Sequence, residues 1–293
     1  VNHAIAKETD ALAHYNLGNT LFKQERLSDA LESYHNALKI KPDYVPAYNN
    51  IGLVMICMGE YDKAVVCHRL SLTLQPENAE AHHNLGVALS HLWQLDEAVT
   101  SYRNALKIKP DYVEAYSNLG LALCGLGQYT EAVTQCRLAL EITPHHAGAH
   151  CNLGLALSGL GHYEEAVTSY RNALKIKPDY HGARSNLLFI YGFLPHQDPA
   201  HTIAEARCYG EAVARQATPY TSWLTPPEPD RRLRIGLVSG DLGNHPAGYV
   251  LEHLLPALRS LASDRLELFA YLSLTRDGSV TERIKASCHH WHS

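Results

Sequence analysis

Six asparagines recur at one constant interval: Asn16, Asn50, Asn84, Asn118, Asn152 and Asn186. An amide side chain both donates and accepts, so a column of amides can pair with the backbone of an extended peptide whatever its sequence. A structural role for the same column is the competing expectation. A second column, His14, Tyr48, His82, Tyr116 and His150, alternates imidazole with phenol. Successive members are a full repeat apart, too far to share one ion, so they are expected to pack between adjacent helices rather than bind metal. The seven cysteines are odd in number and form no C-x-x-C pair, which argues against a disulfide framework or a zinc ribbon and favours a reducing compartment. The cluster Cys288-His-His-Trp-His292 has no zinc-motif spacing and is expected to be a chance grouping. The glycines of Gly240-Asp-Leu-Gly-Asn-His-Pro246 do not make a G-x-G-x-x-G, so a dinucleotide site is not favoured. Neither a metal nor a cofactor is expected.

The elements that must position these residues follow a single ruler. Pro42, Pro76, Pro110, Pro144 and Pro178 keep the interval of the asparagines, as do Gly18, Gly52, Gly86, Gly120 and Gly154. Ala30, Ala64, Ala98, Ala132 and Ala166 keep it too, and Glu97–Tyr112 recurs letter for letter as Glu165–Tyr180. Within a unit the spacing is helical: Leu119, Ala122 and Leu123 share one face of a first helix, Gly127 breaks it, and Ala132, Cys136, Ala139 and Leu140 line a second. Ser28, Asp62, Asp96, Thr130 and Glu164 share the position that opens the second helix, and the first four are expected to cap it. The small residues let the paired helices approach closely, and each proline turns the chain into the next unit. Lysines of the Lys-Ile-Lys-Pro segments sit at a helix C-terminus, where the macrodipole favours cations, and are read as solvated and structural.

These residues resemble the tetratricopeptide repeat, a helix–turn–helix unit of about 34 residues with Leu-Gly early, Ala twice and Pro near the end. The resemblance covers five full units, 11–44, 45–78, 79–112, 113–146 and 147–180, with a sixth first helix near Gly182–Phe193 that lacks the glycine. It implies an α-superhelix whose first helices line a concave groove suited to an extended peptide.

Composition bounds the alternatives. The chain has 293 residues, 46% of them apolar and 19% charged, with 25 basic against 30 acidic side chains. That suffices for a real core and excludes a disordered chain. A formal charge of −5 without a basic stripe argues against nucleic acid. The longest apolar run, Ile51 to Met58, is far short of the ~20 residues of a membrane span, so a cytoplasmic location is expected.

After Phe193 the register is lost. Ile203–Ala217 reads as a helix with Ile203, Ala206, Tyr209, Gly210 and Val213 on one face. Thr218–Asp230, with four prolines, reads as a linker. Leu233, Ile235, Leu237 and Val238 read as a strand, Ala247–Leu261 as a helix, Leu266–Leu272 as a second strand and Ser279–Cys288 as a further helix. This is the opening of a parallel α/β sheet. The expected domains are a superhelix at 1–194, an adapter helix and linker at 195–230, and the N-terminal part of an α/β lobe at 231–293.

Arg234-Ile-Gly-Leu-Val-Ser-Gly-Asp-Leu-Gly-Asn-His-Pro246 resembles the start of the catalytic region of protein O-linked N-acetylglucosamine transferases and their SPINDLY-type relatives. The order of parts is theirs too, and the Phe269-Ala-Tyr271 and Trp291 regions are similar. The resemblance implies a two-lobed, Rossmann-like (GT-B) glycosyltransferase that moves N-acetylglucosamine from UDP-GlcNAc to Ser or Thr of proteins, with acceptor proteins guided by the asparagines of the repeat groove. It implies that His245 lies at the active site, in acid/base or acceptor-positioning work, within a loop formed by Asp241, Gly243, Asn244 and Pro246. The short stretch from Asp230 to Ser293 cannot hold two lobes, so the second lobe, with most donor contacts, is missing and this stretch is expected to catalyse nothing alone. The chain reads as an excerpt of a longer protein. A peptide-binding scaffold, or a related transferase using GDP-fucose or asparagine acceptors, stays open as an alternative.

Overall fold

The computed structural model describes residues 2–194, 199–216, 232–239, 246–261, 265–272 and 279–292. The chain divides into two compact units, Val1–Thr218 and Pro219–Ser293.

In the first unit each repeat folds as a helix pair. The first helices are α1 (Asn2–Lys23), α3 (Val45–Cys57), α5 (Ala79–His91), α7 (Val113–Gly125) and α9 (Ala147–Gly159). Their partners are α2 (Leu27–Ile40), α4 (Tyr61–Leu74), α6 (Leu95–Ile108), α8 (Tyr129–Ile142) and α10 (Tyr163–Ile176). Then come α11 (His181–Tyr191) and α12 (Pro199–Gln216). The repeated glycine is a contact point. A Cβ on Gly18, Gly86 or Gly154 would lie 2.5–2.7 Å from the ring of Tyr34, Tyr102 or Tyr170 respectively, so only glycine lets these rings seat against the first helix. The inner stripes bury as the spacing requires, with Leu119, Ala122, Leu123, Ala132, Cys136 and Ala139 in the core.

Helix starts differ from the sequence expectation. The residues expected to cap the second helices, Ser28, Asp62, Asp96 and Thr130, fall inside the first turn; the cap positions are Arg26, Glu60, Gln94, Gln128 and His162, and none makes a side-chain cap bond. The reason is the tight turn before them. Gly59, Gly127 and Gly161 have positive φ, as do Glu25 and Trp93 at the same place in their repeats. This left-handed residue ends the first helix and starts the second earlier than the sequence suggests. The acidic side chains still face the positive end of the dipole. Side-chain caps occur instead on two first helices, where Asn78 accepts from the Ala81 N–H and His146 from the Ala149 N–H.

Between repeats, arginines reach from one second helix to the next: Arg69 to Glu97 at 2.7 Å, Arg103 to Glu131 at 2.6 Å and Arg137 to Glu165 at 3.7 Å. The imidazole–phenol column does more than pack. Tyr48, His82 and His150 bond the carbonyls of Pro42, Pro76 and Pro144 at 3.0–3.1 Å, tying each first helix to the turn that precedes it. Lys41, Lys109 and Lys177 lie over the rings of Tyr44, Tyr112 and Tyr180, in keeping with a structural reading of those lysines. In α12 the expected apolar face packs only in part. Ile203 is 52% exposed, and a Cβ on Gly210 would meet nothing within 4 Å. Tyr209 of that face meets His181 of α11, and beside it Glu205, which was not on the expected face, pairs with Arg184.

The second unit is a parallel sheet, β1 (Leu233–Ser239), β2 (Leu266–Leu272) and β3 (His290–His292), in the order β1-β2-β3, with α13 (Pro246–Leu261) and α14 (Ser279–Ser287) as crossovers. Leu233 pairs with Leu266 and Phe269 with His290. Leu255, Leu268, Ala270, Val280 and Ile284 form its core. Within the Cys288–His292 cluster, His290–His292 form the third strand. His290 and His292 stack on Phe269 and Tyr271, and the strand is too short to register as one in sequence. Among the described residues there is no metal-binding group of side chains, and no helix is long and apolar enough to cross a membrane.

Candidate functional site: the repeat groove

The asparagine column is largely turned inward to the stack. Asn50 donates through Nδ2 to the Asn19 Oδ1 at 2.7 Å and to the Tyr15 hydroxyl at 3.2 Å. Asn118 donates to His83 Nε2 at 3.1 Å, and Asn152 to the Ser117 carbonyl at 3.0 Å. Each therefore reaches one repeat back, to the neighbouring first helix. Asn84 and Asn152 are buried, Asn16 is exposed, and Asn186 bonds Tyr170. His83 completes a short relay, since its Nδ1–H donates to Asn84 Oδ1 while Nε2 accepts from Asn118. That arrangement uses the neutral ring, and burial pushes the imidazole pKa below its ordinary value.

What the groove offers a partner is mainly apolar. From the second repeat on, the residue after the repeated glycine is Leu53, Val87, Leu121 and Leu155, with Phe189 at the sixth position. Val87, Leu121 and Leu155 line a cavity of about 460 Å³, with Asn118 on its wall and Trp93 at its rim. Leu155 and Tyr129 continue into a second cavity of about 240 Å³, lined by Asn186, Phe189 and Phe193. The structure thus brings Asn118 and Asn186 to the groove and keeps Asn84 and Asn152 within the stack. The apolar column escaped the reading of the sequence because a leucine after Leu-Gly looks like core. Its recurrence once per repeat, about 100° round the helix from the glycine contacts, was the available signal.

Four of the six cysteines of this unit are held as thiols by burial, while Cys57 and Cys208 are exposed. Burial holds the Cys124 and Cys136 thiols up at about 12 and raises those of Cys67 and Cys151.

His245, Asp241, Gly243 and Asn244 lie outside the described residues, and Pro246 opens α13. In sequence the first four lie between β1 and α13.

Models of the tetratricopeptide repeat match residues 11–44, 94–127 and 111–179, so the chain carries tetratricopeptide repeats. Among solved structures, a point mutant of the Thermobaculum terrenum O-GlcNAc transferase is 32% identical over 74% of this chain, with a TM-score of 0.55. This chain spans 42% of that transferase. YrrB, described as a TPR protein with an unusual peptide-binding site, is 28% identical over 62% of this chain and 94% of its own, with a TM-score of 0.51. PilF of Pseudomonas aeruginosa, 17% identical over 72% of this chain and 93% of its own, shares the fold with a TM-score of 0.60. No curated protein sequence matches the chain.

Proposed function

We propose that the chain is the acceptor-guiding repeat array and the beginning of the catalytic region of a protein glycosyltransferase that moves N-acetylglucosamine from UDP-GlcNAc to serine or threonine hydroxyls. The observation that carries this reading is the 32% identity to an O-GlcNAc transferase over 74% of the chain, more than the five repeats occupy. It agrees with the order of parts: a superhelix at 1–194, an adapter and linker at 195–230, and a parallel α/β unit at 231–293. Acceptor proteins would lie extended in the groove, with apolar side chains on Leu121 and Leu155 and backbone N–H groups donating to Asn118 and Asn186, whose amide oxygens accept. His245, with Asp241, Gly243, Asn244 and Pro246 shaping its loop, would take the hydroxyl proton, since an imidazole titrates near neutrality. UDP-GlcNAc is a substrate, and no cofactor enters.

A second reading, a peptide-binding scaffold, is favoured by the likeness to YrrB. One experiment separates them. Protein expressed from its complete open reading frame is incubated with radiolabelled UDP-GlcNAc and a mixed protein extract, beside His245→Ala. Label on protein that falls at least a hundredfold in the variant supports the transferase. Label from GDP-fucose alone would change the donor. No label from any donor, with peptides still bound, leaves the scaffold.

A further inference from the structure

We infer that the groove of the third and fourth repeats is a two-point reader of peptides, an inference that rests on the groove being a peptide site as proposed above. A bulky uncharged side chain enters the cavity at Trp93, and a lysine or arginine a few positions away on the same peptide pairs with Glu80 and Glu114.

Trp93 is the first observation. It occupies the left-handed turn position, φ 59°, that glycine holds in three of the other four repeats and Glu25 in the first. A bulky side chain there strains the backbone. The fold gains nothing in return, because Trp93 is 80% exposed. Its ring stands instead at the rim of the cavity over Val87, Leu121 and Leu155. Exposed tryptophans beside apolar pockets are the side chains on which binding energy concentrates. No Asp, Glu, Lys or Arg lines this cavity. A charged side chain entering it would lose its water without gaining a partner, so the occupant is uncharged and apolar.

The charge lies at the other end of the same helices. At the second position of the unit the chain has Leu12, Pro46, Gly148 and Gly182, but Glu80 and Glu114 in the two repeats that build the cavity. Both glutamates are exposed. They converge on Tyr112: burial first, and then these two carboxylates, push its phenol up to about 12. Lys109 lies 4.7 Å from the centre of that ring, one cation against two carboxylates, which leaves an excess negative charge. Glu114 and Leu121 stand two turns apart on one face of α7, about 10 Å along the axis. An extended peptide covers that in about three residues.

Fluorescein-labelled Gly-Ser peptides test this by anisotropy against the whole chain. Each carries one Phe and one Arg separated by a Gly-Ser pair, in both orders. The expected result is at least tenfold tighter binding than controls with Ser for Phe or Glu for Arg. Trp93→Gly relieves the turn, so its Tm should not fall, yet its affinity should drop about tenfold. Glu80→Gln with Glu114→Gln should abolish the preference for Arg over Glu and keep that for Phe. Equal binding of Phe and Ser peptides, or unchanged affinity in Trp93→Gly, overturns the inference. Selection from a displayed random peptide library separates the two levels. Groove-binding peptides that lack the paired residues overturn the two-point reader alone, and no selected peptide at all overturns peptide binding with it.

Discussion

His68 takes the place that Tyr34, Tyr102 and Tyr170 hold in other repeats, packed against Gly52 as those rings pack against their glycines. It is fully buried, and both ring nitrogens lack a hydrogen-bond partner among the described residues. Burial, with His83 nearby, pushes its pKa down to about 4 from the ordinary 6.5. The unfolded chain therefore binds the proton more readily than the folded one. Stability is full above about pH 6.5 and is lost as pH falls toward 4, by about 2 kcal/mol between pH 7 and pH 5. His68→Phe keeps the shape of the tyrosines, leaves no nitrogen unpaired, and should raise stability by about 1–3 kcal/mol at pH 5. Urea unfolding at both pH values checks this. The variant should lose less stability than wild type on acidification, and identical losses would show that His68 does not titrate with folding.

At the level of helices, the repeats meet through a core of small residues and a row of exposed ion pairs. Arg103 and Glu131, 2.6 Å apart and each more than a third exposed, are the best placed of these. A double-mutant cycle on Arg103→Ala and Glu131→Ala should give a coupling of about 0.2–1 kcal/mol that shrinks in concentrated salt. A coupling above about 2 kcal/mol would mean that the row, rather than the core, holds the stack. The helices themselves were legible because glycine, alanine and proline recur where close approach and turning require them. Their starts were not: a serine, aspartate or threonine before an apolar run looks like a cap, and the left-handed residue that shifts the start is glycine in only three of five repeats. The asparagine column was legible as a column, but its inward bonds to the preceding repeat depend on inter-helix geometry that no single helix encodes. The third strand was hidden for another reason, because its run is short and mostly histidine, and its histidines stack on Phe269 and Tyr271 while only Trp291 packs against the core.

Across the whole first unit, the apolar core is not continuous. One large set of buried residues runs from Leu21 to Val54 and another from Ala64 to Tyr191, with partly buried Met55 bordering both, and a small third set, Val113, Ala139 and Ala149, lies in the fourth and fifth repeats. The division between these two large sets falls in the second repeat, which holds four of the seven buried polar atoms without partners among the described residues: Asn49 Oδ1, both His68 nitrogens and Ser71 Oγ; Asn84 Nδ2 follows in the next helix pair, and both His181 nitrogens lie at the start of α11. Ser71 stands where Ala37, Ala105, Ala139 and Ala173 stand elsewhere, so each departure replaces an apolar contact with an unmet polar group. In a stacked array stability is a sum of repeat and nearest-neighbour terms, so a weak neighbour term lets one side open while the other stays folded. Native-state hydrogen exchange at pH 7 across a urea series reads this directly. Amides of α2 and α3 should lose protection at lower urea than those of α7 through α10. Combining His68→Phe with Ser71→Ala removes three of the four unmet atoms of the second repeat and should bring the two sets closer together. Simultaneous release in the wild type would show that the neighbour term at the second repeat is as strong as the rest, and that the unmatched polar atoms cost the array no cooperativity.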